Sequence, residues 1–227
     1  RTVKCVAPAA CKPAASPNGI VVSQNDYDSV TALPLRRYDF GKLQQTLTYY
    51  ADGTISTVAD GNNKVTKLSA WKRGVPQAIQ YPPTPESPSG AITSAVVNDN
   101  GTIASVTDEN RYKTCYGYDA MGRLTSITYP SETQTDVCNT STWAGTTLTI
   151  GSVGASEYGI PAGHWKQTAS AGNARRITYF DALWRPLVEE SYDAASSVAT
   201  RSITVKRYDA GGDLAFQSYP PCGIGGE

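Results

Sequence analysis

The chain has 227 residues, of which 40% are hydrophobic, and its 20 basic side chains balance 20 acidic ones. This hydrophobic content can build a core and argues against disorder for most of the chain. The balanced charge argues against a nucleic-acid partner, because non-specific binders normally carry a basic excess. The longest apolar runs are too short to span a membrane. Tyrosine outnumbers phenylalanine 14 to 3, which is typical of half-exposed β-sheet.

Three segments are expected along the chain. Residues 1–35 contain several prolines and little regular patterning, so we predict an extended, proline-rich lead-in. Residues 36–220 alternate short apolar segments with turn residues and are predicted to form one β-sheet domain. Residues 221–227 form a short tail.

The stretch RYKTCYGYDAMGRLTSITYP predicts one β-hairpin. Arg111–Tyr118 and Arg123–Tyr129 have the aromatic and apolar content of strands, and the residues between them suit a tight turn. Asp119 can accept a hydrogen bond from a backbone N–H two residues on, and Gly122 can adopt the positive φ that closes the turn.

The same unit recurs along the chain. Aligned on the turn glycine, the units are 21 to 28 residues apart, except for one gap of 62 residues between Gly122 and Trp184. This gap can contain degenerate copies around Gly145–Gly163. Such a period is typical of a repeat architecture. The aligned positions are Gly53, Gly74, Gly101, Gly122 and Gly212, with Trp184 in the equivalent place of one copy.

Apolar residues recur two and five positions after the glycine, as at Leu124 and Ile127. These positions fall on opposite faces of a regular strand, so either both faces are partly covered or a β-bulge resets the alternation. A helical interpretation fails because serine and threonine intervene and each segment ends at Gly or Pro. The sequence therefore predicts an all-β chain of roughly a dozen short strands joined mainly by hairpins.

The stretch YGYDAMGRLTSITYP resembles the consensus of the Rhs/YD-repeat proteins, in which a Tyr-Asp pair, a short turn, Gly-Arg-Leu and a strand follow one another. The resemblance is strongest there, good at RYDAGGDLAFQSY and YFDALWRPLVE, and weaker at Tyr49–Val58 and Trp71–Tyr81. The resemblance implies repeated antiparallel hairpins in a curved, spiralling sheet, an arc of a hollow shell. In polymorphic toxins and insecticidal toxin complexes of this family, that shell encloses a C-terminal toxin.

The resemblance also implies roles for individual residues. Tyr118 packs along the sheet, Asp119 caps the turn, Gly122 makes it, and Arg123, followed by Leu124, pairs with a carboxylate. The roles carry over to Tyr208, Asp209 and Gly212, where Asp213 replaces the arginine and puts the ion pair in doubt. The remaining copy has Tyr179, Asp181 and Arg185.

The five cysteines suggest two local bridges. Cys115 and Cys138 bracket a loop that leaves the central hairpin, and a disulfide there would contribute about 3 kcal/mol. Cys5 and Cys11 bracket a Pro/Ala loop and are close enough in sequence to pair. Cys222 is then left over. The alternative is that all five are reduced and structurally inert.

No catalytic, metal or cofactor site is expected. His164 is the only histidine, so a His–His metal pair cannot form, and packing beside Trp165 is its expected role. The shell family's cleavage module carries an Asp-Pro motif, and this chain has no such dipeptide. Exposed rings can instead form stacking platforms for sugars; packing within the sheet is the favoured alternative for the four tryptophans Trp71, Trp143, Trp165 and Trp184.

The leading functional hypothesis is a structural, non-enzymatic segment of a secreted or surface-exposed bacterial Rhs/YD-repeat protein, whose partners are the remaining shell and its cargo. The alternative is a cell-surface adhesin or carbohydrate-binding module with glycans as partners. Exposed edge strands are expected to favour self-association.

Overall fold

The computed structural model describes residues 2–5, 19–139 and 144–219, which form two compact units, Arg1–Arg111 and Tyr112–Glu227. Both units are built from antiparallel β-strands, and the one helical element is a single turn. The prediction of an all-β chain of repeated hairpins is therefore confirmed. The predicted tail at 221–227 lies outside the described residues.

The described part of the first unit contains nine short strands, which are joined by turns or loops. They are β1 (Thr2–Cys5), β2 (Gly19–Tyr27), β3 (Pro34–Asp39), β4 (Lys42–Tyr49), β5 (Ile55–Asp60), β6 (Val65–Lys72), β7 (Val75–Gln80), β8 (Ile92–Val97) and β9 (Ile103–Thr107). Each pairs antiparallel with the next along the chain, so the sheet is a continuous meander.

The second unit repeats this arrangement with eight strands and a four-residue helix. They are β10 (Lys113–Tyr118), β11 (Leu124–Thr128), β12 (Thr146–Ser152), β13 (Trp165–Ala171), β14 (Ala174–Phe180), β15 (Pro186–Asp193), α1 (Ser197–Thr200), β16 (Ser202–Tyr208) and β17 (Leu214–Gln217). Consecutive strands again pair antiparallel. The hairpin of β12 and β13 occupies the long gap between recognisable repeats.

Regular sheet begins earlier than residue 36. β2 lies inside the expected lead-in and pairs with β3, with Ser23 opposite Asp39 and Gln24 opposite Tyr38. Its β-branched Ile20, Val21 and Val22 favour a strand whatever the composition of the preceding segment. An extended lead-in over the whole of 1–35 was therefore too long.

A β-bulge sets the faces of the repeat. In the central hairpin, Leu124 lies opposite Tyr118 and Ile127 lies opposite Tyr116, and the register shifts between these pairs so that Thr125 is the extra residue. Tyr116 and Tyr118 are two residues apart and share a face, so Leu124 and Ile127 share it too. Of the two alternatives left by the sequence, the bulge is the one adopted. Matching shifts precede the turns that follow β4, β8, β14 and β16.

Few side chains are fully buried. The buried hydrophobic residues of the described chain are Val97 in the first unit and Ile160, Tyr179 and Val188 in the second. The latter three form a cluster with partly buried neighbours on β14, β15 and β16, covered by the connection that follows β12. Elsewhere the sheet is stabilised chiefly by its backbone ladder, turns and cross-strand contacts, because it has no thick core.

Candidate functional site: the repeat turns and the bridges between hairpins

The central turn is organised by Asp119. Its Oδ1 accepts hydrogen bonds from the backbone N–H groups of Met121 and Arg123, both at 2.9 Å, and its Oδ2 accepts one from Nε of Arg123 at 2.7 Å. The Asp119 carbonyl accepts from the N–H of Gly122 at 2.9 Å, and Gly122 has a φ of 77°. One carboxylate therefore holds both the backbone of the turn and the side chain that leaves it.

The turn between β14 and β15 is a close copy. Asp181 accepts from the N–H of Leu183 at 2.8 Å, from the N–H of Arg185 at 2.9 Å and from Arg185 Nε at 2.7 Å. Trp184 takes the glycine position with a φ of 63°, a conformation that non-glycine residues seldom adopt. The hydrogen-bond pattern of the turn therefore survives the loss of its glycine.

The third copy, between β16 and β17, keeps the backbone pattern without its arginine. Asp209 accepts from the N–H of Asp213 at 2.9 Å, and Gly212 has a φ of 91°. A cation reaches this turn from the preceding hairpin instead: the Arg185 guanidinium lies over the Tyr208 ring, 4.7 Å from its centroid. Arg185 thus contacts two consecutive turns, an attraction worth about 0.5–1 kcal/mol at exposed sites.

Hydrogen bonding shifts the acidity of these carboxyl groups. The backbone N–H of Arg123, followed by its guanidinium, lowers the pKa of Asp119. Burial alone would raise the pKa of Asp181, but hydrogen bonds from the backbone and side chain of Arg185 and from the backbone of Leu183 outweigh it, so this pKa is also lowered. Both turns are therefore held by ionised aspartate at neutral pH.

In the first unit, Gly53 and Gly101 close turns of the same backbone pattern, donating to the carbonyls of Tyr50 and Asn98 at 3.0 Å. Gly74 lies in a different turn. Arg73 and Gly74 form a two-residue loop in which both φ values are positive, 53° and 81°, and the pairing of β6 with β7 runs through without a register shift. This is the ordinary tight hairpin, so alignment on Gly74 joins two kinds of turn.

Near a bulged turn, the strands of one hairpin stop pairing with those of the preceding or following hairpin. The polar atom of an aromatic side chain forms a hydrogen bond across several of these gaps. Trp71 donates from Nε1 to the carbonyl of Ile55 at 2.8 Å, and Tyr208 donates from its hydroxyl to the carbonyl of Pro186 at 3.1 Å. Tyr49 does the same to Pro34. The three accepting residues are the first of their strands, and the donors lie one strand further along. These carbonyl bridges link consecutive hairpins where the backbone ladder is missing.

Comparisons with known proteins agree with this repeat structure. A family model described as RHS Repeat matches residues 97–134, which include the turns at Gly101 and Gly122. Teneurin-4 of Homo sapiens and teneurin-4 of Mus musculus are each 25% identical over 107 residues. Residues 97–134 therefore match the Rhs/YD-repeat family, and the hairpins on either side of them are similar in construction.

Solved structures share the fold of this chain. "Crystal Structure of TcdB2-TccC3" superposes with a TM-score of 0.58 and "Crystal Structure of TcdB2-TccC3-TEV" with 0.55, both at 11% identity and over 88% and 87% of this chain. The chain spans 11% of either solved chain, and the matched region covers 40% of this chain and 4% of either teneurin.

The four tryptophans of the chain differ in their surroundings. Trp71 is half-buried by its carbonyl bridge. Trp165 and Trp184 stack on one another with ring centroids 5.2 Å apart, and Trp184, which also contacts Phe180, remains 50% exposed. Trp143 lies outside the described residues. Among the described sugar-stacking candidates, Trp184 is thus the exposed indole, stacked on a half-buried Trp165.

A buried polar cluster lies beneath the connection from β12 to β13. Tyr179 is buried and donates from its hydroxyl to Glu190 at 3.3 Å, and Arg201 Nε lies 2.9 Å from the same carboxylate. Burial, and then the Glu190 charge, raise the pKa of Tyr179. Tyr179 therefore anchors the core rather than a turn. Sequence reasoning missed this cluster, because its members come from separate strands.

The lone histidine belongs to the same region. His164 is buried, with Nδ1 2.9 Å from the carbonyl oxygen of Pro161 and Nε2 3.4 Å from a carboxylate oxygen of Glu157. Lys166 binds both oxygens of that carboxylate, at 3.0 and 3.1 Å. His164 is therefore a packing residue of this loop, and it lies next to the ion pair that Glu157 forms with Lys166.

One disulfide is present in the described chain. It joins Cys115 on β10 to Cys138, whose Cα atoms are 5.9 Å apart, and it closes the loop that leaves the central hairpin. Cys5 ends β1, whereas Cys11 and Cys222 lie outside the described residues. Within the described ranges, no group of three His, Cys, Asp or Glu residues has a metal-binding arrangement, and no helix has the length and apolarity to cross a membrane.

Proposed function

We propose that this segment forms part of the wall of a β-shell in a secreted or surface-exposed bacterial Rhs/YD-repeat protein, and that the shell encloses a C-terminal cargo polypeptide. The role is mechanical and requires no catalytic group of this segment. Its partners are the neighbouring parts of the shell and the cargo.

The observation that carries the proposal is the carbonyl bridge between consecutive hairpins. Tyr208 binds Pro186 across 22 residues and Trp71 binds Ile55 across 16 residues, so these hairpins are each joined to the one before. A sheet assembled in this way extends by adding hairpins and needs no thick core. Such a construction suits a wall that separates an enclosed space from solvent.

The test uses the full parent chain, purified under native conditions and then in denaturant. We expect a separate C-terminal polypeptide that co-elutes with the Rhs/YD-repeat part in native size-exclusion chromatography, resists added protease, and is released only when the shell unfolds. A single intact chain whose C-terminal part is digested as quickly as an exposed peptide would contradict the proposal.

A second candidate, carbohydrate binding, is favoured by Trp184. Its indole is half exposed and stacked on Trp165, and it holds a φ of 63° where the repeat has glycine. The parent chain would then bind glycans saturably in a glycan panel. The variant Trp184→Gly, which suits the positive φ, would lose that binding while keeping its fold. A shell wall without this second role shows no saturable binding in either form.

A further inference from the structure

The sheet of the second unit contains an incomplete seam between β11 and β12. These strands pair at two positions only, Ser126 with Thr147 and Ile127 with Thr146, whereas β12 pairs with β13 along its whole length from Thr146 to Ser152. The cause is the bulge at Thr125, which ends the regular register of β11 just where β12 continues. Residues 149–152 of β12 therefore have a strand on one side and none on the other.

The direction of the free backbone groups follows from the pairing on the other side. The Val153 N–H donates to the carbonyl of His164 at 2.8 Å, in register with the β12–β13 ladder. Hydrogen-bonded pairs alternate along an antiparallel ladder, so Thr149 and Gly151 also bond toward β13. Leu148, Ile150 and Ser152 then face the seam. The pairing of Ser126 with Thr147 requires the Leu148 N–H to donate to the Thr125 carbonyl, so Ile150 and Ser152 are the residues whose N–H and C=O groups point into the open part of the seam.

No carbonyl bridge closes this seam. At three other seams an aromatic residue near the end of the later strand donates to the first carbonyl of the earlier one, as Tyr208 does to Pro186. β12 ends instead in Gly151 and Ser152, and within the described residues no side chain donates to the carbonyl of Leu124. An added Cβ at Gly151 would meet open space.

A cavity of about 490 Å³ occupies the open seam. Leu124 and Thr125 line it from β11, and half-buried Leu148 and Ile150 line it from β12. Arg123 stands at its turn end, with a side chain that is 40% exposed. Its Nε is engaged by Asp119, and its two terminal nitrogens have no partner among the described residues. The seam thus combines a free strand edge, an apolar floor and a cation with free donors.

We propose that this seam binds an extended peptide by β-strand addition, with a carboxylate of the peptide on Arg123. Four residues of free edge, 149–152, correspond to about 13 Å of strand, and Ile150 and Ser152 can exchange backbone hydrogen bonds with the peptide. Leu148 and Ile150 favour apolar side chains on alternate peptide residues. The site stands on the described geometry alone and does not depend on whether the parent protein encloses a cargo.

The probe is a fluorescein-labelled, seven-residue peptide of alternating valine and threonine with one terminal aspartate, titrated into the 227-residue chain. Its control is the same peptide N-methylated at alternate residues, which keeps the side chains and removes the edge donors. We expect the N-methylated peptide to bind at least tenfold more weakly, and an asparagine in place of the aspartate to weaken binding about threefold. Equal binding of the plain and N-methylated peptides would overturn the proposal.

Amide hydrogen exchange locates the binding. In the free protein, the amides of Ile150 and Ser152 should exchange quickly and those of Leu148 and Thr149 slowly, and saturating peptide should slow the first two at least tenfold. The variant Ile150→Pro removes one seam-facing N–H without removing a donor of the β13 ladder, and should abolish peptide binding while keeping the far-UV spectrum. If the amides of Ile150 and Ser152 are already protected in the free protein, the seam is closed and the proposal fails.

Discussion

Aspartate is the residue on which the repeat turn depends. The Asp119 and Asp181 side chains each combine two backbone hydrogen bonds with one from arginine, whereas the Asp209 side chain accepts a backbone bond from Asp213 and has no arginine in its own turn. Hydrogen bonds to charged groups contribute about 1.5–3 kcal/mol, roughly twice those between neutral groups. The three copies therefore differ in how much their stability depends on ionisation.

This difference predicts the effect of removing the charge. Asp181→Asn keeps an oxygen for the backbone N–H groups but loses the ionic bond to Arg185, so we expect the free energy of unfolding to fall by about 1–2 kcal/mol. Asp209→Asn is the matched control and should cost less than half as much. Urea unfolding at pH 7 measures both. Equal losses in the two variants would show that the arginine contributes nothing beyond the shared backbone pattern.

The effect of Asp181→Asn on the free energy of unfolding should also depend on pH. The pKa of Asp181 is lower in the folded chain than the unfolded value of about 3.9. Its stabilisation is therefore present above that unfolded value and is lost as the pH falls through the lower, folded one. The stability difference between the wild type and Asp181→Asn should accordingly shrink from pH 5 to pH 2.

Within the site, the sequence predicts the turn residues best, because their contacts are local. Asp119 reaches Met121 and Arg123, two and four residues away, and such contacts follow from residue type and spacing. Gly74 shows the limit: a glycine with positive φ serves a repeat turn and a two-residue hairpin equally well, and only the register distinguishes them.

At the scale of the strand, the sequence predicts the hairpins but not what joins one to the next. The alternation of Leu124 and Ile127 left a bulge as one of two solutions, and the cross-strand register resolves it. The bridge from Tyr208 to Pro186 depends on which strands are neighbours and where the ladder fails. An aromatic residue directly before the turn aspartate is the sequence signal that would have suggested it.

Removing one bridge tests its contribution. Tyr208→Phe deletes the hydroxyl that binds the Pro186 carbonyl and leaves the ring under Arg185, so we expect a loss of about 0.5–1.5 kcal/mol in the free energy of unfolding. Tyr219→Phe is the control, because that side chain is 93% exposed. Urea titrations with a common m-value compare the two. A null effect of Tyr208→Phe would indicate that water replaces the bridge without cost.

At the scale of the whole chain, we expect β17 of the second unit to influence behaviour in solution. Among the described residues, β17 pairs with β16 and with no other strand, and all four of its residues are exposed, including Leu214 at 51% and Phe216 at 49%. The formal net charge is zero, so long-range repulsion between copies is weak. An open, apolar strand edge on an uncharged chain is a template for pairing with a second copy.

We therefore expect the 227-residue chain to self-associate as its concentration rises, and Phe216→Lys to weaken the association at least severalfold, because a lysine on an edge strand disfavours pairing. Val198→Lys adds the same charge on α1, where the side chain is 90% exposed and away from a strand edge, and should leave the association unchanged. Sedimentation velocity over a hundredfold range of concentration distinguishes the variants. If both lysines weaken association equally, net charge rather than the β17 edge controls it, and a wild-type monomer at every concentration would show that this edge is protected.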